Sequence, residues 1–378
     1  MSSSPVHTPV PAQPYGRPPL RTVQVLGGAG AGSSAHVRSL ATGLAARGVR
    51  VTVCAPVAAE GEYDFTGAGA HFTPDAVSAL RAACVGADLV HAHGVRAGMR
   101  AALALRGTAR RVPLVVSWHG IGPEPDGPLG RLSRLLERRV ARAAAVVLGA
   151  SSDQVDLARR RGARDARLAA VAAPAAAPAP GAPEPPEAAD KTRAELGAVG
   201  RPLVIAVGSL VARRGYSVLL DAARSWRDLD PLPLLVIAGE GPLRPELARR
   251  IEAEGLPVRL LGRRPDADRL LAAADVAVLP SRWEGRSLLA QEALRAGVAL
   301  VATEVGGVPE LVGDAAVLVP YGDAGALAGA VAGLLGDPGR RAELGAAGRA
   351  QAATWPSEDD TVAQVLSVYD ELMERSRP

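Results

Sequence analysis

The stretch from residue 275 to residue 297 constrains the fold of this chain most strongly. Residues 275–279 are a short apolar run typical of a buried parallel strand, and residues 288–296 have helical spacing. Glu284 lies between them, at the carboxyl end of the predicted strand, where open α/β sheets bind ligands. Glu292 follows eight positions later, about two helical turns away, so both carboxylates can face one crevice. Two acids at this spacing also occur on ordinary solvated helices, and spacing alone leaves both interpretations open.

The residues around these two acids form a longer pattern. Residues 280–297 read Pro-Ser-x-x-Glu-Gly-x-Ser-x-x-x-x-Glu-Ala-x-x-x-Gly, and residues 306–310 read Gly-Gly-Val-Pro-Glu. This pattern resembles the retaining family-4 glycosyltransferases of the GT-B fold, an α/β fold in which two doubly wound Rossmann-like domains face an interdomain cleft. The resemblance implies that Glu292 holds the ribose hydroxyls of a nucleotide donor and that Glu284 is catalytic, beside the donor sugar. Ser287 stands where the family usually has its second glycine, which puts the tightness of the backbone contact with the sugar in doubt.

The length of 378 residues favours two domains, because a single hydrophobic core rarely serves so long a chain. Residues 1–19 have no apolar periodicity and are expected to be a disordered tail. The first domain is predicted over 20–171, an Ala- and Pro-rich linker over 172–190 and the second domain over 191–356. The resemblance implies that a final helix, within 357–378, crosses back onto the first domain.

Charge and cysteine content exclude several classes of protein. The net charge is only +4 and no basic block is present, so no nucleic-acid partner is expected. Cys54 and Cys84 have no second pair, which excludes a zinc ribbon and a disulfide framework. The apolar runs are shorter than a membrane span, and no signal-peptide pattern follows the N-terminus, so a cytoplasmic protein is expected.

A glycine loop follows the first predicted strand, residues 23–26. Gly28 and Gly30 precede a helix whose free backbone amides can meet a phosphate. The dinucleotide-binding pattern fails here, because Ser33 occupies the third glycine position and the strand at 51–54 ends without an acid. The family resemblance implies that both glycines touch the donor; a tight turn without a ligand is the alternative.

Two further predicted strands, within residues 88–94 and 113–120, each end in His-Gly. Their histidines, His91, His93 and His119, raise the possibility of a three-histidine zinc site. No acidic general base accompanies them, and the family pattern accounts for all three, so no metal is predicted. The resemblance implies that His119 is catalytic, under the donor sugar at the acceptor, and that His93 lies on the acceptor side; for His93 a satisfied interior histidine is the alternative.

The second domain restarts with an apolar strand at 203–208. The family usually follows such a strand with an arginine and a lysine that clamp the donor diphosphate, and here these positions are Ser209 and Arg214. Loss of a charge-assisted phosphate bond costs about 1.5 to 3 kcal/mol unless another group replaces it. Arg286 is one candidate replacement, and Arg263 stands where the family places its nucleobase.

Two Asp-x-Asp sequences, at 228–230 and 266–268, follow no apolar strand and are interpreted as turn and helix-cap residues. They imply no metal. A predicted helix at 129–145 carries five arginines around an apolar stripe of Leu132, Leu135, Leu136 and Val140. It is either a peripheral contact with an anionic membrane, on its inner face, or a core-packed helix with a solvated arginine face.

The function expected from the resemblance is a retaining glycosyltransferase. It moves a sugar from a nucleoside diphosphate sugar to the hydroxyl of a small-molecule or lipid-linked acceptor, with no metal and no other cofactor. The alternative is a non-catalytic protein that binds sugar nucleotides on a degenerate GT-B fold. Ser209, Ser287 and the loss of the family's Asn-Gly-Val-Asp sequence within 172–189 motivate that alternative.

Overall fold

The computed structural model describes residues 18–28, 31–106, 111–120, 127–169, 171–172 and 186–376. Most of the predicted tail and linker, together with Gly30, lie outside these ranges. Among the described helices, none has a stretch long and apolar enough to cross a membrane.

The first half forms a parallel sheet of seven strands in the order β3-β2-β1-β4-β5-β6-β7. Its strands are short and apolar, as expected for strands buried on both faces: β1 Arg21–Leu26, β2 Arg50–Ala55, β3 His71–Pro74, β4 Leu89–His93, β5 Leu114–Trp118, β6 Val146–Gly149 and β7 Ala166–Leu168. Helices connect them: α1 Ala31–Ala46, α2 Val57–Tyr63, α3 Val77–Val85, α4 Val95–Ala104, α5 Pro128–Ala143 and α6 Ser152–Arg160.

The second half forms a parallel sheet of six strands in the order β10-β9-β8-β11-β12-β13. Its strands are β8 Leu203–Val207, β9 Leu234–Ala238, β10 Val258–Gly262, β11 Val276–Leu279, β12 Ala299–Thr303 and β13 Val317–Val319. Its helices are α7 Pro186–Leu196, α8 Tyr216–Arg224, α9 Arg244–Glu254, α10 Ala267–Ala272, α11 Leu288–Ala296, α12 Val308–Val312, α13 Ala324–Gly336 and α14 Pro338–Ala353.

Each sheet is covered on both faces by buried apolar side chains. In β8, for example, Val204 and Ala206 join the core on one face, while Leu203 and Ile205 join the core on the other. Successive side chains of a strand point to opposite faces, so one apolar run supplies both cores. The prediction of two doubly wound α/β domains is confirmed.

Two helices differ from what was expected. Helix α7 begins at Pro186, inside the predicted linker, because proline is well suited to the first turn of a helix. Helix α5 buries Gly130, Glu137, Val140 and Ala141, and its leucines do not form the buried stripe.

The last helix, α15 (Glu358–Arg375), returns to the first sheet. Ser357 and Asp360 form a capping box at its start. Val362, Val365 and Tyr369 are buried in the core of the first domain. The last helix therefore packs in the core of the first domain, although the second domain lies between them in sequence.

The carboxyl edges of the two sheets face each other. At the N-terminus of α6, directly after β6, the backbone N–H of Ser152 donates to Glu310 at 3.0 Å, and Asp153 accepts a hydrogen bond from Trp283 Nε1, also at 3.0 Å. Both partners follow strands of the second sheet. A cleft between two strand edges is where α/β proteins bind their ligands.

We expect Gly43→Ala to destabilise the protein by about 1 to 3 kcal/mol, because the new Cβ would lie 2.5 Å from Cγ2 of Val362 in the contact between α1 and α15. The same change ordinarily stabilises a helix by about 0.5 to 1 kcal/mol. Gly329→Ala is the control, since nothing lies within 4 Å of its added Cβ in α13. Urea unfolding of both variants checks this. If both changes stabilise the chain, the packing of α15 on α1 is wrong.

Candidate functional site

Glu284 is the centre of the best-formed polar site in the cleft. It lies in the loop between β11 and α11 and is buried. Its Oε1 accepts a hydrogen bond from the hydroxyl of Ser281 at 2.7 Å and forms an ion pair with Arg214. Thr303 holds this loop by donating to the backbone carbonyl of Ser281 at 2.6 Å. The carboxylate is therefore fixed in one orientation by two loops.

Arg214 reaches Glu284 because a glycine-dependent turn brings their loops together. It ends the 3-10 turn that follows β8, and the next residue, Gly215, has a φ of +69°. A Cβ on Gly215 would lie 1.9 Å from the carbonyl oxygen of Pro280, so only glycine allows this approach. In the part of the chain that the structure describes, Arg214 Nε is buried and has no hydrogen-bond partner.

Glu292 lies on α11, the helix that follows the Glu284 loop. Burial raises the pKa of its carboxyl group, and the charge of Asp268 adds to this effect, whereas Arg295 opposes it. Desolvation of this kind is compensated when a ligand donates hydrogen bonds to the carboxylate. The structure thus leaves a partly desolvated acceptor at the position that the resemblance assigns to the ribose.

Two helix N-termini meet near these acids. A Cβ on Gly32, in the first turn of α1, would lie 3.7 Å from Cδ1 of Leu288, the first residue of α11. The hydroxyl of Ser287 accepts from the N–H of Ala290 at 3.4 Å and caps α11. This cap is a physical reason for serine at the usual glycine position. The free N–H groups and the helix dipoles favour an anion here.

The glycine loop after β1 has two kinds of glycine. A Cβ on Gly27 would lie 2.8 Å from the backbone nitrogen of Ala97, so packing against α4 requires glycine there. Gly28 is exposed, and a Cβ added to it would meet nothing within 4 Å. Internal packing therefore does not explain Gly28, whose predicted contact with a ligand stays a prediction. Gly30 lies outside the described residues.

Three other predicted donor residues are placed differently. Ser209 is exposed in the loop after β8. Arg263 is exposed and pairs with Glu62 of the first domain. Arg286 lies over the ring of Trp355, 5.3 Å from its centroid, and burial together with Arg295 lowers its pKa to about 10. The structure does not bring Arg286 into the ion pair of Arg214, so the donor roles of these three residues stay predictions.

Three histidines at the ends of strands in the first domain, His91, His93 and His119, belong to one hydrogen-bonded network. His93 Nε2 bonds to Gln24 Oε1 at 3.0 Å, and His93 Nδ1 lies 3.2 Å from His119 Nε2. His91 lies 2.7 Å from the hydroxyls of both Tyr369 and Ser117. His119 is half-buried at the end of β5, and a Cβ on Gly285 would lie 2.9 Å from its carbonyl oxygen. The histidine network therefore adjoins the Glu284 loop.

His36 completes this network, although the sequence patterns did not single it out. It lies on the buried side of α1, beside the apolar Val37. Its ring centroid is 5.1 Å from that of His119 and 5.6 Å from that of His93. A polar side chain within an apolar helix stripe is the only sequence signal that would have identified it. The cluster of His36, His93 and His119 replaces the combination with His91 that the strand ends suggested.

Burial keeps these rings neutral. It lowers the pKa of His119 to about 4 and that of His91 to about 3. It also lowers the pKa values of His36 and His93 well below the ordinary 6.5. At pH 7 each ring can accept as well as donate a hydrogen bond.

We expect the protein to lose stability as the pH falls from about 6 to 4. In this range the unfolded chain binds protons at its histidines while the buried rings stay neutral, so each ring costs up to about 1.4 kcal/mol of unfolding free energy per pH unit. His91→Gln removes one such ring and should flatten the dependence, whereas His71→Gln, at an exposed residue of β3, should not. Chemical unfolding from pH 7 to pH 4 measures this. Equal slopes in all three proteins would contradict the neutral cluster.

Both halves of the chain match models of known protein families. Residues 31–174 match the glycosyl transferase 4-like domain, and residues 189–351 match glycosyl transferases group 1. D-inositol 3-phosphate glycosyltransferase of Xylanimonas cellulosilytica is 32% identical over 319 residues, which are 76% of this chain and 73% of that protein. GDP-mannose-dependent monoacylated alpha-(1-6)-phosphatidylinositol monomannoside mannosyltransferase of Corynebacterium glutamicum is 37% identical over 179 residues, 44% of this chain and 47% of that protein.

Among solved structures, HepE of Anabaena in complex with UDP has a TM-score of 0.79 at 20% identity, covering 93% of this chain and all of the HepE chain. At this identity the likeness shows the GT-B fold alone. The sequence matches extend over both sheets and include a relative aligned over most of both chains. The chain belongs to the group 1 glycosyltransferases and is an enzyme that transfers sugars.

Proposed function

We propose that this enzyme transfers a sugar from a nucleoside diphosphate sugar to a hydroxyl acceptor, with retained anomeric configuration and without a metal ion. The observation that carries the proposal is the Arg214–Glu284 ion pair at the carboxyl edge of the second sheet. It holds a cation and a carboxylate together at the place where an α/β cleft binds its ligand. The UDP complex of HepE and the GDP-mannose in the name of the Corynebacterium relative support a nucleotide donor.

In this proposal the donor lies along the second sheet. Glu292 accepts hydrogen bonds from the ribose, and Arg214 binds the diphosphate. Arg214 is well suited to phosphate because its guanidinium offers a planar set of donors, and its Nε is not used by a protein partner in the described structure. Gly28 and the N-terminus of α11, capped by Ser287, bring backbone N–H groups to the same anion.

The chemistry is carried by charge stabilisation. As the glycosidic bond breaks, negative charge develops on the departing diphosphate, and Arg214 with the two helix N-termini stabilises it. In this proposal the charge of Arg214 and the partial positive charges of the helix N-termini take the place of a metal ion. The acceptor hydroxyl attacks from the side of the departing diphosphate, whose oxygen accepts the acceptor proton.

His119 and Glu284 lie on the two sides of the sugar position. The neutral ring of His119 can hydrogen-bond to a sugar or acceptor hydroxyl without adding a charge that repels Arg214. His93 orients His119 through their 3.2 Å contact. Glu284 is already bonded to Arg214 and Ser281, so it is held beside the sugar as a fixed negative charge.

Helix α5 supports contact with an anionic membrane. Three of its leucines are 74%, 53% and 44% exposed and recur every third residue, so they lie along one side of the helix: Leu129, Leu132 and Leu135. Exposed arginines accompany them: Arg131, Arg138, Arg139 and Arg142. Leucines next to arginines suit the boundary between lipid headgroups and acyl chains. We propose that this face holds the enzyme on the inner surface of a membrane, near a lipid-linked acceptor.

Replacing Glu292 tests the donor site. We expect Glu292→Ala to weaken nucleotide binding by about 10-fold or more, because hydrogen bonds to a charged group contribute about 1.5 to 3 kcal/mol each. Glu252→Ala, at an exposed residue of α9, should have no effect. Calorimetric titration with UDP and GDP gives the affinities. Unchanged affinity of Glu292→Ala for the nucleotide that binds the wild type would refute the ribose assignment.

Replacing His119 tests the reaction. We expect His119→Ala to keep nucleotide affinity and to lower nucleoside diphosphate release from the donor sugar by about 10² or more, the usual effect of a polar group positioned for the transition state. Full activity of this variant would remove His119 from the site. A wild type that binds nucleotide sugars but releases no nucleoside diphosphate would favour the non-catalytic alternative.

Replacing Leu132 tests the membrane face. We expect Leu132→Glu to lower cosedimentation with vesicles containing phosphatidylinositol by about 10-fold, because a carboxylate opposes both insertion and the anionic surface. Leu232→Glu, at an exposed leucine of the second domain, is the matched control. Equal binding by both variants would show that α5 is not the contact.

A further inference from the structure

We propose that His36, His93 and His119 bind a transition-metal ion of the Zn²⁺ type, and that the bound ion blocks sugar transfer. The site uses residues from three elements, α1 and the ends of β4 and β5, which meet only in the folded chain. Metal binding itself does not depend on the proposed function, whereas the inhibition does. The ion is an inhibitor here and has no part in the reaction.

The first argument is the arrangement of the three rings. Each ring offers one nitrogen, and these three nitrogens all lie within 4.8 Å of one another. The ring centroids are 5.6, 5.1 and 5.6 Å apart. Three imidazoles around a tetrahedral zinc, with Zn–N bonds of about 2.0 to 2.1 Å, have centroids about 5.2 Å apart. The ligand nitrogens of such a site are about 3.4 Å apart, so rotations and shifts of the rings of about 1 Å bring nitrogens that are up to 4.8 Å apart to one ion.

The second argument is the hydrogen bonding behind His93. Gln24 Nε2 donates to the hydroxyl of Tyr369 at 3.1 Å, which turns Oε1 of the same amide toward His93 Nε2. His93 therefore donates from Nε2, and its Nδ1 carries a lone pair on the side of His119. Metal-binding histidines are usually held in this way, with the other ring nitrogen bonded to a carbonyl or carboxylate oxygen.

The third argument is the ligand chemistry of the cluster. The described cluster of candidate ligands contains imidazoles and no carboxylate. Nitrogen ligands favour Zn²⁺, Ni²⁺, Co²⁺ or Cu²⁺ over Mg²⁺ and Ca²⁺, which prefer oxygen.

The location of the cluster explains the inhibition. His119 is the half-buried member, so a fourth ligand, such as water, can reach the ion from the cleft. Its carbonyl oxygen lies against Gly285, the neighbour of Glu284. An ion bound to His119 removes the ring from hydrogen bonding with the sugar or acceptor. In the proposed function this ring positions the reacting groups, so its loss opposes productive binding of the substrates.

The test uses the full chain without a purification tag. Equilibrium dialysis against Zn²⁺ should give one ion per chain, and Zn²⁺ but not Mg²⁺ should raise the melting temperature. His36→Gln should weaken Zn²⁺ binding by about 10-fold or more, whereas His71→Gln should leave it unchanged. Co²⁺ should give the visible absorption of a tetrahedral ion in the wild type and lose it in His36→Gln.

Three results would overturn the proposal. The first is no stoichiometric Zn²⁺ binding by the wild type. The second is unchanged Zn²⁺ affinity in a His36→Gln variant that folds normally, as judged by a wild-type melting temperature without metal. If His36→Gln does not fold, His119→Gln is tested by the same criterion. The third concerns inhibition: Zn²⁺ should stop nucleoside diphosphate release, and a chelator should restore it. Zn²⁺ binding with unchanged turnover would overturn the inhibition. A wild type that is inactive with every donor, with or without chelator, would overturn the proposed function, but the Zn²⁺ binding measured by dialysis would still hold.

Discussion

Parallel strand pairing is the constraint on which the whole arrangement depends. Every strand pair in both described sheets is parallel, so all strands of a sheet end at one edge, and the loops that follow them lie side by side. The polar loops after β5 and β6 therefore meet those after β11 and β12. Their contacts, such as Trp283 with Asp153, set the distance between the histidine network and the Arg214–Glu284 pair.

The crossing of α15 adds a second constraint. The hydroxyl of Tyr369 contacts both Gln24 and His91, so a residue near the end of the chain fixes side chains on the first and fourth strands. These in turn orient His93 and His119. The described structure thus links the packing of the last helix, far from the cleft in sequence, to the orientation of His119, the ring that we propose faces the sugar.

Much of this was predictable from local pattern. The apolar run before Glu284 and the helical spacing after it identified the strand, the loop and α11, because each of these signals is contained in a few consecutive residues. The ion pair with Arg214 was not predictable, since it requires two loops that approach through Gly215 and Pro280. His36 was missed for the same reason. It joins the polar site only because the folded chain places its ring beside His93 and His119, at the ends of β4 and β5.

The faces of α5 show another limit. The sequence shows leucines and arginines at helical spacing, and a buried leucine stripe was the natural interpretation. The structure buries Glu137 and Val140 and exposes Leu132, because the face that packs is chosen by α4 and α6 and not by the helix alone. Ser287 is a similar case: a departure from the family pattern proves to be the cap of α11.

The proposed reaction requires that the diphosphate leaves and the acceptor enters on one face of the sugar, with Glu284 held by Arg214 and Ser281. The most direct measurement is the anomeric configuration of the product, read by NMR from the coupling constant of its anomeric proton, starting from an α-configured nucleoside diphosphate sugar. We expect an α-linked product. A β-linked product would contradict it, because inversion requires attack from the opposite face of the sugar.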